Sequence, residues 1–483
     1  MQIPRLMIAA PQGCSGKTTV TIGLCAALRK RGLRVKPFKK GPDYIDPSWL
    51  GAAAGTSCSN LDPFMFDEPT LRQGFQQSCP GADIAVIEAA MGLYDSSDPD
   101  GKGSSAWLAR LLKIPVILVI NSARMTRSAA AMINGYVRFE PDTNIAGVIL
   151  NNVAGKRHEE KLVKSIAKHC GIPVLGCIPR DAGLSLRERH LGIIPFIEQD
   201  GAAEIIDRAC EVVEGHIDLD RLIEIARSSP DKCRGVASAA PVNRAGLITR
   251  PYNAVIASSA ATWQSQPTVK IALLYDKAFS FYYPENLESL REAGAELNYI
   301  DSFTGRLPGD IDGLYIGGGF PELYPNELEA NTGLRRDIAK AADKGLPIYA
   351  ECAGLMYLCR CIIRDGRKYE MCGVIASDVE IGQRPRGHGY TMVEVEGENP
   401  FFPKGTALRG HEFHYSKLTG TEGLNFAYKV KRGQGIDGKV DGIVYKNALA
   451  SYTHLHAWSV PFWADNFVKL AATRQIETRK IAV

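Results

Sequence analysis

The feature that most constrains the fold is an alternation of short apolar runs with amphipathic helical stretches in the first half of the chain. The runs are RLMIAA, LRVKPFK, ADIAVIEAA, IPVILVIN, IAGVILNN and IPVLGCI. Most are rich in Val and Ile without polar alternation, which is typical of parallel strands buried on both faces of a sheet. With helices between them, they predict a doubly wound α/β domain over residues 1–228.

A second α/β domain is predicted over residues 269–483, after a stretch of different character. Residues 229–268 are rich in Ser, Ala and Pro without sustained periodicity, which indicates a surface linker. The pattern then resumes with VKIALLYD, PENLESLREAGA, ELNYID, DGLYIGGGF, a helix around 326–344 and LPIYAECAG. The last third, with YTMVEVEG and NFAYKVKRG, favours antiparallel strands.

Composition excludes several classes of protein. The 483 residues carry a formal net charge of +4, which is too small to indicate a nucleic-acid partner. No apolar run approaches the roughly 20 residues of a membrane-spanning helix, and we expect no signal peptide. The twelve cysteines are scattered, and Cys359 and Cys361 lack zinc-ribbon spacing. We therefore expect a protein of the reducing cytoplasm whose cysteines are mostly small core residues.

The segment PQGCSGKTTV combines a preceding strand, a glycine-containing turn and a Gly-Lys-Thr that opens a helix. This context predicts a phosphate-binding loop, although Pro11 replaces the first glycine of G-x-x-x-x-G-K-S/T. Lys17 is expected to reach the outer phosphates and Thr18 to offer its hydroxyl to Mg²⁺. The alternative is a chance Gly-Lys-Thr in a helix cap. The predicted nucleotide-binding residues are Gly13, Cys14, Ser15, Gly16, Lys17, Thr18 and Thr19.

Carboxylates stand at two predicted strand ends near this loop. Asp43 and Asp46 follow the second strand, and Glu88 closes the third. Open α/β sheets bind ligands at the carboxyl ends of their strands, and a Glu that closes an apolar run needs a cation or a donor. Together with Thr18, these acids predict a Mg²⁺ site. For Asp43 and Asp46, turn chemistry beside the neighbouring glycine and prolines is the alternative.

The segment LPIYAECAGLMYL predicts a buried strand that stops at a sharp turn and continues as a helix. A nucleophile on such a turn is exposed at the sheet edge, and Cys352 occupies this position. We expect the helix N-terminus to lower the pKa of the thiol and the Ala353 N–H to stabilise an oxyanion. Upstream, the three glycines of GLYIGGGF offer a second N–H, from Gly318 or Gly319.

Near the C-terminus, ASYTHLHAW supplies His454 and His456 as candidate bases for the cysteine. The partners in a Cys–His arrangement are close in space and distant in sequence. A structural cysteine beside an unrelated pair of histidines is the alternative.

These stretches resemble the cobyrinic acid a,c-diamide synthase family, over nearly the whole chain and in the family's order. The matching stretches are SGKTTVTIGLCAALRKRGLRVKPFKKGPDYIDP, NLD, MGLYD, AGVILNNV, RHLG, GLYIGGGFPELY, YAECAGLMYL, RGHEFHYS and SYTHLH. The resemblance implies an N-terminal ATP-dependent amidoligase domain, similar to dethiobiotin synthetase, and a C-terminal class I-type glutaminase domain. It implies a ligase that amidates the a and c acetate groups of a corrinoid or related tetrapyrrole.

The resemblance also implies a mechanism. The residues implied to hold ATP and Mg²⁺ are Lys17, Thr18, Asp43, Asp46 and Glu88. A substrate carboxylate is phosphorylated there, giving an acyl phosphate. Cys352, with His454 as base, attacks the amide of glutamine, forms a thioester and frees ammonia. A shielded path is expected to deliver the ammonia to the acyl phosphate, because ammonia in neutral water is largely protonated.

Several positions depart from the family's pattern. Ala353 stands where the family usually has Gly, and EAAMGLYDS replaces the usual Glu-Gly-Val-Met-Gly-Leu-Tyr-Asp-Gly. His456 stands where many class I glutaminases place a triad glutamate, so His454 is expected to act unassisted or to use another orienter. In HEFHYS, three further residues are placed beside the site, with a structural role as an equal alternative: His411, Glu412 and His414.

The substrate is less constrained than the reaction. Contacts with an anionic macrocycle are expected from four residues after the second strand: Lys39, Lys40, Tyr44 and Asp46. Because FKKGPDYIDPSWL, with Lys40 and Trp49, is closer to the branch that acts on sirohydrochlorin-type macrocycles, the siroamide synthases, both a cobyrinate-type and a siroamide-type activity stay open.

A hypothesis of another class is a P-loop partitioning or regulatory ATPase with an inert glutaminase-like domain. The intact Cys352 and His454 oppose it, as does Gln12, where such ATPases usually carry a lysine. The expected partners are a tetrapyrrole polycarboxylate and glutamine, with no nucleic acid and no membrane, and a homodimer is one possible assembly.

Overall fold

The computed structural model describes residues 3–180, 186–189, 192–228 and 268–481. The chain divides into two compact units, Met1–Ala237 and Ser238–Val483. The predicted linker, 229–268, lies outside the described residues except for residue 268. Within these ranges, no helix combines the length and the apolar character needed to cross a bilayer.

The first unit is built on a seven-stranded sheet in which every neighbouring pair of strands is parallel. The strands are β1 (Arg5–Ala9), β2 (Val35–Lys40), β3 (Ser59–Leu61), β4 (Ile84–Glu88), β5 (Val116–Asn121), β6 (Ile145–Val153) and β7 (Val174–Pro179). Their order across the sheet is β3-β2-β4-β1-β5-β6-β7. Because β4 lies between β1 and β2, Glu88 is in register with both Ile8 and Lys39.

Eight helices and one short hairpin complete the described part of this unit. The helices are α1 (Lys17–Lys30), α2 (Ile45–Ala54), α3 (Glu68–Gln77), α4 (Ser105–Leu111), α5 (Arg127–Phe139), α6 (Lys156–His169), α7 (Ala202–His216) and α8 (Leu219–Arg227), and the hairpin is β8 (Glu188–Arg189) with β9 (Gly192–Ile193). Local capping sets several helix starts: the side chains of Asp67, Ser104 and Asp218 each accept a backbone N–H of the first turn that follows.

The second unit contains a nine-stranded sheet of mixed direction, in the order β11-β10-β12-β13-β22-β21-β20-β17-β18. The strands are β10 (Val269–Leu274), β11 (Ala295–Ile300), β12 (Gly313–Ile316), β13 (Ile348–Glu351), β17 (Gly387–Val395), β18 (Ala407–His414), β20 (Asn425–Arg432), β21 (Val440–Tyr445) and β22 (Ala448–Ser451). From β11 to β22 the strands are parallel, and from β22 to β18 they are antiparallel.

A four-stranded sheet and five helices surround this sheet in the described part of the unit. The smaller sheet has the order β15-β14-β16-β19. Its strands are β14 (Cys361–Arg364), β15 (Arg367–Glu370), β16 (Asp378–Ile381) and β19 (Ser416–Thr419). The helices are α9 (Pro284–Glu292), α10 (Pro325–Ala330), α11 (Thr332–Asp343), α12 (Ala353–Leu358) and α13 (Trp463–Ile481).

The predicted α/β class of both domains is confirmed, and all six apolar runs of the first half are parallel strands. The sequence pattern did not indicate β3, which has only three residues and no apolar run. The predicted helix around 326–344 is two helices. It is broken at Asn331, whose side chain accepts the Leu334 N–H and so starts a new helix.

Candidate functional site

The glycine loop runs from β1 to the first turn of α1. Gly16 precedes this helix with a φ of +86°, a conformation that glycine adopts at little cost. A Cβ at this position would lie 2.2 Å from the Asn151 amide nitrogen. That same amide donates to the Ser15 carbonyl at 3.0 Å. The loop therefore packs closely against β6, and any larger residue at position 16 would be strained and would have to displace the Asn151 side chain.

The first helical residues connect the loop to β4. The Lys17 ammonium donates to the Met91 carbonyl at 2.9 Å, and the Thr18 hydroxyl donates to a Glu88 carboxylate oxygen at 2.7 Å. Lys17 is buried, and burial lowers the pKa of its ammonium. The second Glu88 oxygen, Oε2, is buried and has no hydrogen-bond partner among the described residues. A hydroxyl beside a carboxylate with an unused oxygen fits a Mg²⁺ ion, which is bound in proteins by one or two such groups plus phosphates and water.

The other predicted metal ligands face a lysine. The Lys39 ammonium lies 3.0 Å from Glu88, contacts Asp46 and lies 3.8 Å from Asp43. Burial disfavours the Lys39 ammonium, yet Asp46 and the other two acids raise its pKa overall. Burial and then Asp46 raise the pKa of Asp43 to about 7. No three His, Cys, Asp or Glu side chains in the described ranges form a ready metal-ligand set.

This arrangement contradicts the predicted contact of Lys39 with the macrocycle, and it reduces the number of residues that fit the predicted metal site. The Lys39 side chain is 4% exposed and forms ion pairs with Asp46 and Glu88, so it is not accessible to a macrocycle. Asp43 also accepts the N–H groups of Ile45 at 2.8 Å and of Asp46 at 3.3 Å, at the start of α2, so the alternative of turn chemistry applies to it. Thr18 and Glu88 remain the pair that fits Mg²⁺.

Two predicted substrate residues lie beside this cluster. Lys40 ends β2 and is half-buried, and burial lowers the pKa of its ammonium. Tyr44 stands at the N-cap of α2. Both residues therefore lie at the carboxyl edge of the sheet, where open α/β sheets bind ligands.

In the second unit, Cys352 sits between β13 and α12 with a φ of +48° and a ψ of −97°. Such angles are costly for a residue with a side chain and are concentrated at functional sites. The predicted sharp turn is therefore present. The expected low pKa is wrong: burial, followed by the Glu322 carboxylate, raises the pKa of the Cys352 thiol, while the Ala353 N–H opposes that rise. A thiol with a raised pKa needs a base to become a nucleophile.

The structure separates the three predicted oxyanion donors. The Gly318 N–H donates to the Phe281 carbonyl at 3.2 Å, so it is already used. Ala353 lies in the first turn of α12 and directs its N–H at the Cys352 thiol. The Gly319 N–H has no backbone acceptor within the described part of the chain. The N–H groups of Gly319 and Ala353 therefore stay candidates for an oxyanion, whereas that of Gly318 already has an acceptor.

Gly318 instead makes room for the His454 ring. A Cβ on Gly318 would lie 2.5 Å from Cε1 and 3.3 Å from Nε2 of His454. The His454 ring is therefore packed against the glycine turn that follows β12. Its Nδ1 lies 3.4 Å from a carboxylate oxygen of Glu351, the residue before Cys352. Glu351 is absent from the residues that the sequence motifs single out, although a Glu closing an apolar strand is the same signal that indicates Glu88.

The two remaining histidines of the predicted site have other partners. His456 lies 3.3 Å from Glu285 through Nε2, and its Nδ1 accepts the Trp458 N–H at 3.1 Å. His411 stacks on His454 with a ring separation of 4.9 Å. Burial, followed by His454 and His456, lowers the pKa of His411 well below its usual range. His411 therefore contributes a neutral ring to the wall of the site.

The pair Glu412 and His414 has the structural role left open above. The Glu412 carboxylate accepts the N–H groups of Gln434 and Gly435, which fixes the turn after β20. The His414 ring stacks on Tyr452 at 3.6 Å, and its Nδ1 lies 2.9 Å from the Ser416 carbonyl. These contacts connect neighbouring segments of the second unit, which is a structural role.

Comparisons with known proteins match one family model to each half of the chain. Residues 6–193 match a CobQ/CobB/MinD/ParA nucleotide binding domain, and residues 270–462 match a CobB/CobQ-like glutamine amidotransferase domain. A cobyrinate a,c-diamide synthase of Magnetococcus marinus is 42% identical, with 96% of each chain aligned. The chain belongs to the cobyrinate a,c-diamide synthase family. It is therefore a ligase of the glutamine amidotransferase class with an N-terminal nucleotide-binding domain.

Other proteins that are similar to this chain differ in how strongly they support the assignment. The cobyrinate a,c-diamide synthase of Methanosarcina acetivorans is 40% identical over 97% of this chain and 95% of its own. Among solved structures, PurLQS from Thermotoga maritima aligns with 44% of this chain and all of its own, at 16% identity and a TM-score of 0.33. That likeness is too weak to support an argument about the site.

Proposed function

We propose that this family member catalyses the ATP- and glutamine-dependent amidation of the a and c acetate carboxylates of a corrinoid of the cobyrinate type. The observation that carries the proposal is the pair of sites in one chain. A glycine loop with Lys17, Thr18 and Glu88 stands in the first unit. A cysteine at a strained strand-to-helix turn stands in the second, with His454 packed against the glycine turn that follows the adjacent strand β12.

In the first unit, ATP is proposed to bind along Gly13–Thr19. The backbone N–H groups at the start of α1 face its phosphates, and Lys17 exchanges the Met91 carbonyl for the outer phosphates. Thr18 and Glu88 are proposed to hold Mg²⁺, with Asp43 and Asp46 nearby. When bound, this ion neutralises charge on the phosphates. Transfer of the terminal phosphoryl group to a substrate carboxylate gives an acyl phosphate.

In the second unit, His454 is proposed to take the Cys352 proton as sulfur attacks the amide carbon of glutamine. The N–H groups of Gly319 and Ala353 stabilise the oxyanion. The protonated His454 then donates to the leaving nitrogen, ammonia departs and a thioester remains, which water hydrolyses to glutamate. The ammonia displaces phosphate from the acyl phosphate and forms the new amide.

The names of the relatives support a cobyrinate-type substrate over the siroamide alternative, since the two relatives described above are both cobyrinate a,c-diamide synthases. They align with this chain across both domains, which also disfavours a partitioning ATPase with an inert appendage. The carboxyl edge of the first sheet, with Lys40 and Tyr44, is proposed to contact the macrocycle.

The test is incubation with ATP, Mg²⁺ and either glutamine or ammonia, against cobyrinic acid and sirohydrochlorin separately. Mass spectrometry is expected to count two new amides on cobyrinic acid and none on sirohydrochlorin. Amides on sirohydrochlorin alone would establish the siroamide activity instead. Amides on neither macrocycle, with either nitrogen donor, would refute the proposed function.

The matched variant Cys352→Ala separates the two half-reactions. It is expected to lose glutamine-dependent amidation by at least about 10³-fold, because the thioester cannot form. Ammonia-dependent amidation is expected to continue at the wild-type rate, since the first unit is unchanged. Equal loss with both donors would contradict the role of this thiol.

A further inference from the structure

We propose that Glu351 is the carboxylate that orients His454, so that the acid of the catalytic array comes from the residue directly before the nucleophile. This inference rests on the glutamine hydrolysis proposed above and adds a positioning residue to it. Glu351 acts through His454 and is not assigned a contact with the reacting atoms.

One carboxylate holds both the ring and the backbone of the histidine segment. Glu351 Oε2 lies 3.4 Å from His454 Nδ1, and Oε1 accepts the Leu455 N–H at 3.1 Å. The side chains of Glu351 and His454 are 1% and 2% exposed, so water does not compete for this contact. With Nδ1 facing the carboxylate, we assign the Cys352 proton to Nε2.

The sheet brings these residues together. Glu351 on β13 is in register with Ser451 on β22, three residues before His454. The Cys352 N–H continues this pairing by donating to the Ser451 carbonyl at 2.7 Å. The nucleophile, its acid neighbour and the histidine segment are therefore fixed by one pair of parallel strands.

Two further side chains hold the carboxylate in place. The Tyr315 hydroxyl donates to Glu351 Oε2 at 3.2 Å, and burial raises the pKa of Tyr315 well above its usual range, so the hydroxyl stays a donor. The Asn286 amide lies 3.3 Å from the Tyr315 hydroxyl and donates to the Leu455 carbonyl at 2.9 Å. Hydrogen bonds on both sides of Glu351 fix its orientation toward His454.

The neighbouring glutamates serve other groups. Glu285 faces His456 at 3.3 Å, and both Glu412 oxygens accept backbone N–H groups of a turn. The described contacts place two titratable groups beside His454, Glu351 and the stacked, neutral His411, with Tyr315 behind the carboxylate. Of these groups, only Glu351 supplies a carboxylate to the imidazole.

The chemical role follows from the charge that develops on His454. When the imidazole takes the Cys352 proton it becomes an imidazolium, and the Glu351 carboxylate stabilises that cation in a buried site. The imidazolium later returns its proton to the departing ammonia. Because the carboxylate favours the charged form of the ring, its removal is expected to make the imidazolium harder to form.

The test uses the full chain with Glu351→Gln and measures glutamine hydrolysis against pH. We expect kcat to fall by about 10²-fold or more, as for the loss of an orienting carboxylate in other triads. The acid limb of the profile is expected to move to lower pH by roughly one unit. Ammonia-dependent amidation is expected to stay at the wild-type level, and an unchanged midpoint of thermal unfolding is the control that the second unit is folded.

Two further variants separate charge from shape. Glu351→Asp keeps the charge, so its acid limb is expected near the wild-type position even if its rate falls. Glu285→Gln makes the same chemical change beside His456 and is expected to leave the acid limb of the profile in place.

The inference is overturned if Glu351→Gln keeps kcat within threefold of wild type with the acid limb unmoved. It is also overturned if Glu285→Gln moves the limb in its place. A wild-type chain that amidates with ammonia but hydrolyses no glutamine removes the glutaminase part of the proposed function, and this inference with it. An active wild type with an unaffected Glu351→Gln overturns the inference alone.

Discussion

Each of the two proposed sites lies at a turn from a strand into a helix, and both turns use a positive φ. At the first turn Gly16 has a φ of +86°, and at the second Cys352 has a φ of +48°. Glycine adopts this conformation freely, whereas a side chain there costs about 1–2 kcal/mol. A loop that binds phosphate works through backbone N–H groups and can use glycine. A nucleophile is itself a side chain, so the second turn has to accept strain.

The two sites also hold their charges differently. In the first unit, one buried ammonium, that of Lys39, contacts or approaches three carboxylates. In the second, two imidazoles each face their own glutamate, His454 with Glu351 and His456 with Glu285. The cluster in the first unit depends on the charged Lys39 ammonium, whereas the pairs in the second unit depend on imidazoles, which can be neutral.

The largest expected effect comes from Lys39→Met, which removes the cation and keeps a chain of similar length. The free energy of unfolding is expected to fall by about 3–5 kcal/mol, because the buried Glu88 and the largely buried Asp46 lose the cation that they face. The loss is expected to shrink as the pH falls from 8 to 5, since protonation relieves the remaining acids. Denaturant unfolding at both pH values measures it.

The control for this prediction is Lys36→Met on the same strand. Lys36 is also buried, but it donates to the Ser57 carbonyl at 2.8 Å and takes part in no ion pair with a carboxylate among the described residues. A smaller and pH-independent loss is expected, on the order of 1–3 kcal/mol. Equal losses in both variants would show that the acids around Lys39 do not depend on its charge.

A smaller effect, limited to one half-reaction, is expected from Gly318→Ala. The new Cβ would lie 2.5 Å from His454 Cε1, so the ring has to move. A displacement of about 1 Å costs on the order of 10²-fold in rate, so glutamine hydrolysis is expected to fall by that factor. Ammonia-dependent amidation is expected to be unchanged.

Gly309→Ala is the matched control in the same unit, since a Cβ at Gly309 has no heavy atom within 4 Å. Its glutamine hydrolysis is expected to equal that of wild type. A Gly318→Ala variant that is as active as Gly309→Ala would show that the His454 ring does not need the space above the glycine turn.

The smallest effect is expected from Gly16→Ala, which places a side chain at the φ that glycine now adopts. The free energy of unfolding is expected to fall by about 1–2 kcal/mol because of the positive φ. Moving the Asn151 amide, which lies 2.2 Å from the new Cβ, adds to this loss. Gly13→Ala is the control, because its Cβ has no heavy atom within 4 Å. If the midpoints of thermal unfolding of the two variants differed by less than 1 °C, this account of the loop would be contradicted.

The elements that the sequence predicts well are those with a local signal. The apolar runs of the first unit are strands because unalternating Val and Ile runs suit burial on both faces. The strand-to-helix turns at Gly16 and Cys352 were also predictable, because a glycine loop or a lone cysteine between a strand and a helix is visible within a dozen residues. The three-residue strand β3 has no such signal and forms only because β2 offers a free edge.

The roles of single site residues were predicted less well. Lys39 reads as a substrate contact next to Lys40, but the register of β2 with β4 places it level with Glu88. Gly318 reads as an oxyanion donor, but its bridge to Phe281 uses the N–H group. In both cases the deciding partner comes from a segment that the motif does not contain.

By itself, the sequence determined the class of each domain and predicted the nucleotide loop and the nucleophile, since strand burial, glycine spacing and a cysteine at a turn are properties of neighbouring residues. Only the tertiary structure decided which acid meets which histidine. Glu351, His454 and Gly318 belong to three separate segments, and they meet because β12, β13 and β22 are adjacent in one sheet. That adjacency comes from packing over more than a hundred residues of chain, which no local pattern records.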